Sequence, residues 1–596
     1  MPTHDNSQVR SAAYDERPWL RFYPPGVPVG VNVPPLPVTV LLDEAARDFG
    51  KTPALAFLGR TTTYRRLASA VDLFAGSLAE LGVRRGDRVA LVLPNCPQFV
   101  IAFFAALRLG AVVVPLDPQL GVDGLRDRLG DCTPRVTLVV DDAYDAVAGA
   151  VARGASAGQL VVATLAEGAS FGIRVRLRLP LPRARRLRRL VGGRALRREE
   201  KLFFFDEILE GSPGPVQPGS IDPDRDLAVL LYTAGTTGRP RGAMLTHANI
   251  VAAACQAALW DPYIERGTEA TLVATPMYTP YGLLMGLIGG VFAASTLILL
   301  PDDDPEFIAR FARVWGPSTF PATPGTYERI VGWGHRSLAR RALRTVRTSL
   351  SFGHALSEEL AAGLRRVSGV RGVEGYGLAE TCGVALANPL NANARPGTAG
   401  IPLPGTEIKI VDDRDPSQIV PVGSAGELAI RGPQVCRGYW NRPSESAATV
   451  RGGWLLTGDI VMMSPDGYIT VIDRKNDIVL TSGHVVFPSE VEWAVRRHPG
   501  VLDCAAVGVP DGNAGQALAV SVVTDRSVTV TAEGVRQTCA RYLPPYMLPR
   551  EVRFVTGLPR ARNGAVLRRV LRSAATPEQQ QSGLPKRPTA PATAEE

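Results

Sequence analysis

The chain has 596 residues, too many for one hydrophobic core, since cores stop growing near ~250–300 residues; at least two domains are expected. Hydrophobic residues make up 45% of it and charged residues 21%, which reads as globular and soluble. The formal charge of +9 is local: the stretch IRVRLRLPLPRARRLRRLVGGRALRR, residues 173–198, holds eleven arginines and no acid, and it lacks the aromatics that would argue for nucleic acid.

The first residues, MPTHDNSQVRSAAYDE, carry charge but no apolar core, so they do not read as a secretory signal. Residues 1–35 read as an N-terminal extension. From residue 36 onward helix-period and strand-period segments alternate. VTVLLDEAARDF and TYRRLASAVDLFAGSLAEL read as amphipathic helices, the second ended by Gly82. RVALVLP is a buried strand, QFVIAFFAALRL a helix with Gly110 past its end, and AVVVPL a strand again. This βαβ rhythm predicts an α/β fold with a parallel sheet covered on both faces. It breaks over 173–198, read as an insertion whose interleaved Leu177, Leu179, Leu181, Leu187 and Leu190 suit either a solvated surface or an anionic membrane surface. It resumes at DLAVLLY.

No charge falls between Glu269 and Asp302, and YGLLMGLIGGVFAASTLILL is long enough to cross a bilayer. Pro276, Pro280, Gly282, Gly286, Gly289 and Gly290 interrupt it, and Thr296 and Ile298 end it in β-branched residues; a buried helix followed by a buried strand is expected. Beyond residue 400 short strand-like pieces appear (EIKIVDD, GELAIRG, YITVIDR), then a helical pattern in PSEVEWAVRRHP. The expected partition is a large domain over 36–473, a small α+β domain over 474–573, and a Pro-, Gln- and Ala-rich disordered tail over 574–596. Seven cysteines at irregular spacing give neither a disulfide framework nor a CxxC metal signature, which fits a reducing cytoplasm.

The strongest chemical signal is LLYTAGTTGRPRGAMLTHAN, residues 230–249. A buried strand runs into Thr233, Ala234, Gly235, Thr236, Thr237 and Gly238, with Arg239 and Arg241 following. Glycines let backbone approach a ligand, and amides and hydroxyls offer donors to phosphate oxygens. No GxxxxGK[ST] is present, so this is not a Walker A loop.

In its length and order this loop resembles that of the AMP-forming acyl-CoA synthetase superfamily, and the likeness runs over about residues 36–573. EGYGLAET (374–381), GELAIRGPQVCRGYW (426–440), GGWLLTGD (452–459) and IDRKNDIVLTSGHVVFPSEVE (472–492) follow in that family's order. The resemblance implies ATP, Mg²⁺ and coenzyme A as cofactors. It implies that Thr233, Thr236, Thr237 and Arg241, with Gly235 and Gly238, serve the phosphates. Tyr376 would stack on adenine between Gly375 and Gly377, with Thr381 nearby, and Glu380 would hold Mg²⁺. Asp459 and Arg474 would take the ribose, and Lys475 and Asn476 would lie where the small domain pivots between half-reactions. PWLRFYPPGVPV and the Arg-rich insertion look like features of long-chain fatty acid CoA ligases. An acyl pocket is then implied around residues 278–282, 351–355 and 375–377.

The pattern also breaks. The C-terminal signature lysine is replaced by Ala565 in LPRARNGAVLRR (558–569); the loop lysine is Arg241; the loop serine is Ala234; and Thr279 stands for a histidine in PMYTPYG. Losing a positioned cation of this kind costs about 10²–10³ in rate. Arg560, Arg562 or Arg568 could replace it. The alternatives are an acceptor other than CoA (an amine, a carrier protein or an oxyanion such as nitrite) or a catalytically impaired nucleotide-binding homologue. The six histidines form no metal-ligand spacing, and no Ser-His-Asp arrangement is legible.

Overall fold

The apolar runs of the sequence become the strands of layered α/β sheets in the computed structural model, which describes residues 14, 16–178, 191, 202–216, 219–233, 240–481, 484–511, 515–525, 527–561 and 564–575. A seven-stranded sheet orders Phe203–Phe204, Gln159–Ala163, Val136–Val140, Arg88–Val92, Val112–Pro115, Leu227–Thr233 and Arg241–Thr246. Its recorded pairings are parallel up to Leu227–Thr233, which turns back antiparallel on Arg241–Thr246. Helix Pro97–Arg108 is buried almost throughout, and Phe99, Phe103 and Phe104 fill the layer beneath the sheet. That is why its sequence is apolar around the whole helix and not on one stripe.

A second sheet orders Ala270–Val273, Thr296–Leu299, Pro53–Phe57 and Arg60–Thr63. Single parallel bridges, Thr271 to Thr319, Thr319 to Thr348 and Ala322 to Ser351, carry it toward a third sheet of Leu350–Ser351, Val373–Tyr376, Leu386–Ala387 and Ile401–Pro402. The uncharged stretch after Glu269 is the expected buried helix and strand: π-helix Gly282–Ile288, helix Gly289–Phe292, then strand Thr296–Leu299. Among the described residues no helix is long and apolar enough to cross a membrane.

The chain divides into two units: residues up to Thr457 with Val461–Val471, and Gly458–Ile460 with the chain from Ile472 on. The second unit has its own five-stranded sheet, His484–Val486, Val479–Thr481, Gly515–Thr524 and Val501–Asp511, with Glu551–Phe554 beside Gly515–Thr524. Its core includes Val491, Val495, Cys504, Val520 and Val535. All seven cysteines are buried and free.

One expectation is corrected at the C-terminal end. Helix Arg568–Ala575 runs past Ser573 into the stretch read as tail, because Leu571 and Ala575 are buried against Val507 and Ala519. In the Arg-rich segment, helix Phe171–Arg178 and the buried Val191 are described; 179–190 and 192–198 lie outside the described residues, as do 576–596.

Candidate active site

The hairpin Leu227–Thr233 / Arg241–Thr246 sets the base of the predicted phosphate loop, with Thr233 paired to Arg241 and Tyr232 to Gly242. Gly235, Thr236, Thr237 and Gly238 fall in 234–239, outside the described residues. The strand residues Thr233 and Arg241, paired at the end of the hairpin, are informative. Thr233 Oγ1 and Arg241 Nε are buried without a hydrogen-bond partner. A buried polar atom left unpaired costs about 1–3 kcal/mol, so orphans at the foot of a Gly/Thr loop are what an anion site needs before its ligand arrives. Arg241 lies with its guanidinium carbon 4.5 Å from the centroid of the Tyr439 ring and its Nη1 3.5 Å from Glu445 Oε2.

A third stretch of chain completes this edge. Met244 N–H donates to Gly438 O (2.8 Å), Arg437 N–H to Met244 O (3.0 Å) and Trp440 N–H to Gly242 O (2.8 Å). Segment 437–440 therefore lies along the edge of the hairpin, joined by the isolated antiparallel bridge of Ala243 to Tyr439, and brings Tyr439 beside Arg241. The Tyr439 hydroxyl donates to Glu380 Oε1 at 2.6 Å. Burial, reinforced by the Glu380 charge, pushes that hydroxyl far above its ordinary pKa, so it remains a donor.

Glu380 is 7% exposed, in the turn Ala379–Thr381 that follows strand Val373–Tyr376. Its carbonyl accepts Cys436 N–H at 2.8 Å. Gly375 and Gly377 are steric requirements here. A Cβ at Gly375 would lie 2.3 Å from the Phe352 ring, and one at Gly377 would lie 2.2 Å from Gly383 O, a backbone atom that a side-chain rotation does not relieve. Tyr376 is half-buried at the end of its strand. Thr381 spends its hydroxyl on its own turn, accepting Leu378 N–H at 2.9 Å and donating to Leu378 O at 3.2 Å.

Asp459 and Arg474 belong to the second unit and meet each other: Arg474 Nε lies 2.7 Å from Asp459 Oδ1, and Asp459 is 2% exposed. Lys475 N–H donates to Gly458 O at 2.9 Å. Near Ala565, Ala561 N–H donates to Ala565 O and Gly564 N–H to Ala561 O, both at 2.8 Å. Two of the three arginines considered as replacements are already engaged. Arg560 donates to Gly564 O (2.6 Å) and pairs with Asp503 (2.5 Å); Arg568 pairs with Glu492 (2.7 Å). Arg562 lies outside the described residues. Thr279, in place of the histidine, has become a turn residue: its hydroxyl donates to Pro276 O (2.7 Å) and accepts Gly282 N–H (3.2 Å).

A small, mostly apolar recess is lined among others by Ala257, Ile264, Met285, Pro321 and Leu350, the last adjoining the segment 351–355. Tyr281, stacked on Phe352 at 4.2 Å between centroids, donates its hydroxyl to Leu350 O at 2.6 Å.

The mixed α/β body of several sheets, with a smaller second unit, is the fold of the adenylate-forming ligases. Residues 42–440 match the model of the AMP-binding enzymes, and 490–565 that of the AMP-binding enzyme C-terminal domain. The long-chain-fatty-acid–CoA ligase of Bacillus subtilis (strain 168) is 31% identical over 93% of this chain and 98% of its own length. The structure of ATP-bound MatB from Rhodopseudomonas palustris superposes with a TM-score of 0.75 at 25% identity, covering 90% of this chain and 99% of that one. A benzoate CoA ligase from Burkholderia xenovorans LB400 follows with a TM-score of 0.73 at 25% identity, covering 90% and 100%. The chain belongs to the AMP-binding enzyme family and is an AMP-forming acid–thiol ligase of the acyl-CoA synthetase type. Its general reaction is ATP-dependent activation of a carboxylic acid to an acyl-adenylate, followed by thioester formation with CoA.

Proposed function

We propose that this ligase activates a medium- or long-chain fatty acid. The observation that carries the reading is the mostly apolar recess at Leu350, whose carbonyl accepts the Tyr281 hydroxyl. Its polar lining residues are paired within the protein: Thr348 Oγ1 to Asp261 (2.6 Å), Arg347 to Glu269 (2.6 Å), Thr319 Oγ1 to Thr271 (3.0 Å). What remains for an occupant is mostly hydrocarbon, and each methylene buried there is worth about 0.8 kcal/mol, so chain length would be read as affinity. The B. subtilis relative supports the same substrate class.

In the first half-reaction a carboxylate oxygen bonds to the α-phosphorus of ATP and pyrophosphate leaves. Thr233 and Arg241, with Gly235, Thr236, Thr237 and Gly238, would hold phosphate oxygens, Tyr376 would stack on the adenine, and Asp459 and Arg474 would hold the ribose. Mg²⁺ fits the donor set. Glu380 supplies a hard carboxylate oxygen and Thr233 a buried, unpartnered hydroxyl, and Mg²⁺ on a nucleotide takes only one or two carboxylates. When bound, it would neutralise phosphate charge. In the second half-reaction the CoA sulfur bonds to the acyl carbon and AMP leaves.

A second reading has its own observation. Ala565 brings no cation, and Arg560 and Arg568 are paired to acids, so adenylation would be slow unless the substrate needs less help or the acceptor differs. Peripheral contact with an anionic membrane through 173–198 also belongs to this proposal. On helix Phe171–Arg178, Ile173 and Leu177 pack on the core while Phe171 and Val175 stay exposed beside Arg174.

One experiment tests these points: pyrophosphate release with acids from hexanoate to palmitate, and with benzoate, each given free and in phosphatidylglycerol vesicles. A maximum among the longer acids, raised by vesicles and followed by acyl-CoA on adding CoA, is expected. A preference for benzoate would overturn the fatty-acid assignment. Acyl-adenylate without thioester would point to another acceptor, and no gain from vesicles would overturn the membrane contact.

A further inference from the structure

We infer that Tyr439 is a positioning residue that ties the phosphate-loop cation to the carboxylate assigned to the metal. The inference rests on the roles proposed above for Arg241 and Glu380. A single side chain meets both: its hydroxyl donates to Glu380 Oε1 at 2.6 Å, and the face of its ring carries the Arg241 guanidinium at 4.5 Å.

Tyr439 is itself fixed from several sides. It is 3% exposed. Its N–H donates to Ser446 Oγ at 2.8 Å, and Ser446 Oγ lies 3.3 Å from its carbonyl, so helix Pro443–Thr449 pins the backbone. Ala243 bridges it on the other side. The same helix supplies Glu445, the ion-pair partner of Arg241. The guanidinium is thus held by a ring face and a carboxylate, while its Nε faces the interior unpartnered.

This gives the replacement of lysine by arginine at 241 a physical content. A planar guanidinium lies flat on an aromatic ring and keeps several N–H groups for phosphate, whereas an ammonium is a compact point charge. The hydroxyl acts on the other partner. By holding Oε1 it fixes the rotation of the Glu380 carboxylate and leaves Oε2 for the metal side of the site. Loss of the ring and loss of the hydroxyl should therefore affect different ligands.

The test uses the full chain and two variants, with ATP affinity read by calorimetry across a Mg²⁺ series. Tyr439→Phe removes only the hydroxyl, and the Mg²⁺ concentration that half-saturates ATP binding should rise about tenfold or more, as for a lost hydrogen bond to a charged group. Tyr439→Leu removes the ring too, and should add a loss of ATP affinity at saturating Mg²⁺. In both, CoA transfer from a supplied decanoyl-adenylate should stay within about twofold of wild type, a readout that general damage to the fold would move. Glu380→Gln tells the two levels apart. If it leaves the Mg²⁺ dependence unchanged, the metal assignment of Glu380 fails. If it shifts that dependence while Tyr439→Phe does not, the positioning role of Tyr439 fails.

Discussion

Position 565 concentrates the question of how fast this ligase adenylates. Its carbonyl accepts Ala561 N–H, a backbone hydrogen bond that any side chain at 565 would keep. The neighbouring arginines are engaged by Asp503 and Glu492, acids more than fifty residues away in the chain, which the local pattern LPRARNGAVLRR does not reveal. Ala565→Lys should raise fatty-acid-dependent pyrophosphate release by about 10²-fold, the scale of a positioned electrostatic donor, and leave CoA transfer from a supplied acyl-adenylate unchanged. No gain would mean that another group already meets that charge. Within the motif GELAIRGPQVCRGYW the sequence marks no role for Tyr439. An aromatic after a glycine gives no hint that it will bridge a loop cation and an acid, because both contacts come from other segments of the chain.

At the scale of elements, THAN, residues 246–249, closes the motif of residues 230–249, and its residues build a helix start. Thr246 Oγ1 accepts Asn249 N–H (3.2 Å) and Thr246 N–H donates to Asn249 Oδ1 (3.0 Å), a reciprocal cap on helix His247–Trp260. His247 accepts Val38 N–H on Nδ1 at 3.2 Å, and burial pushes its pKa down to about 4, so it stays neutral and able to accept. Thr246→Ala should destabilise the protein by about 1 kcal/mol, read from urea unfolding, because buried helix-end amides lose their acceptor. The strand and helix periods were legible for elements with one buried face or fully apolar runs. The π-helical winding of Gly282–Ile288, which presents Met285 to the recess, was not legible, since an all-buried apolar run has no polar face to mark its phase.

Across the whole molecule, buried carboxylates set a pH dependence. Burial raises Glu374 and Glu167 to about 7, and Asp141 and Asp473 to about 6. A carboxyl whose folded pKa lies above its unfolded value adds stability below the unfolded pKa, and that stability is lost as pH rises through the folded one. For Glu374 the window runs from its ordinary value of 4.5 to about 7. Glu374→Gln, which keeps an acceptor for Leu356 N–H, should match wild type in thermal unfolding near about pH 4.5 and exceed it above about pH 7, by roughly 3 kcal/mol at most. A constant offset across that range would show that the carboxyl is not the titrating group. The sequence by itself determined the family, the order of its motifs and the strands and helices that carry them, because loop chemistry and hydrophobic period are written in neighbouring residues. Only the tertiary structure decided which cations are already paired and where an apolar recess opens, because burial and charge pairing join residues from separate segments of the chain.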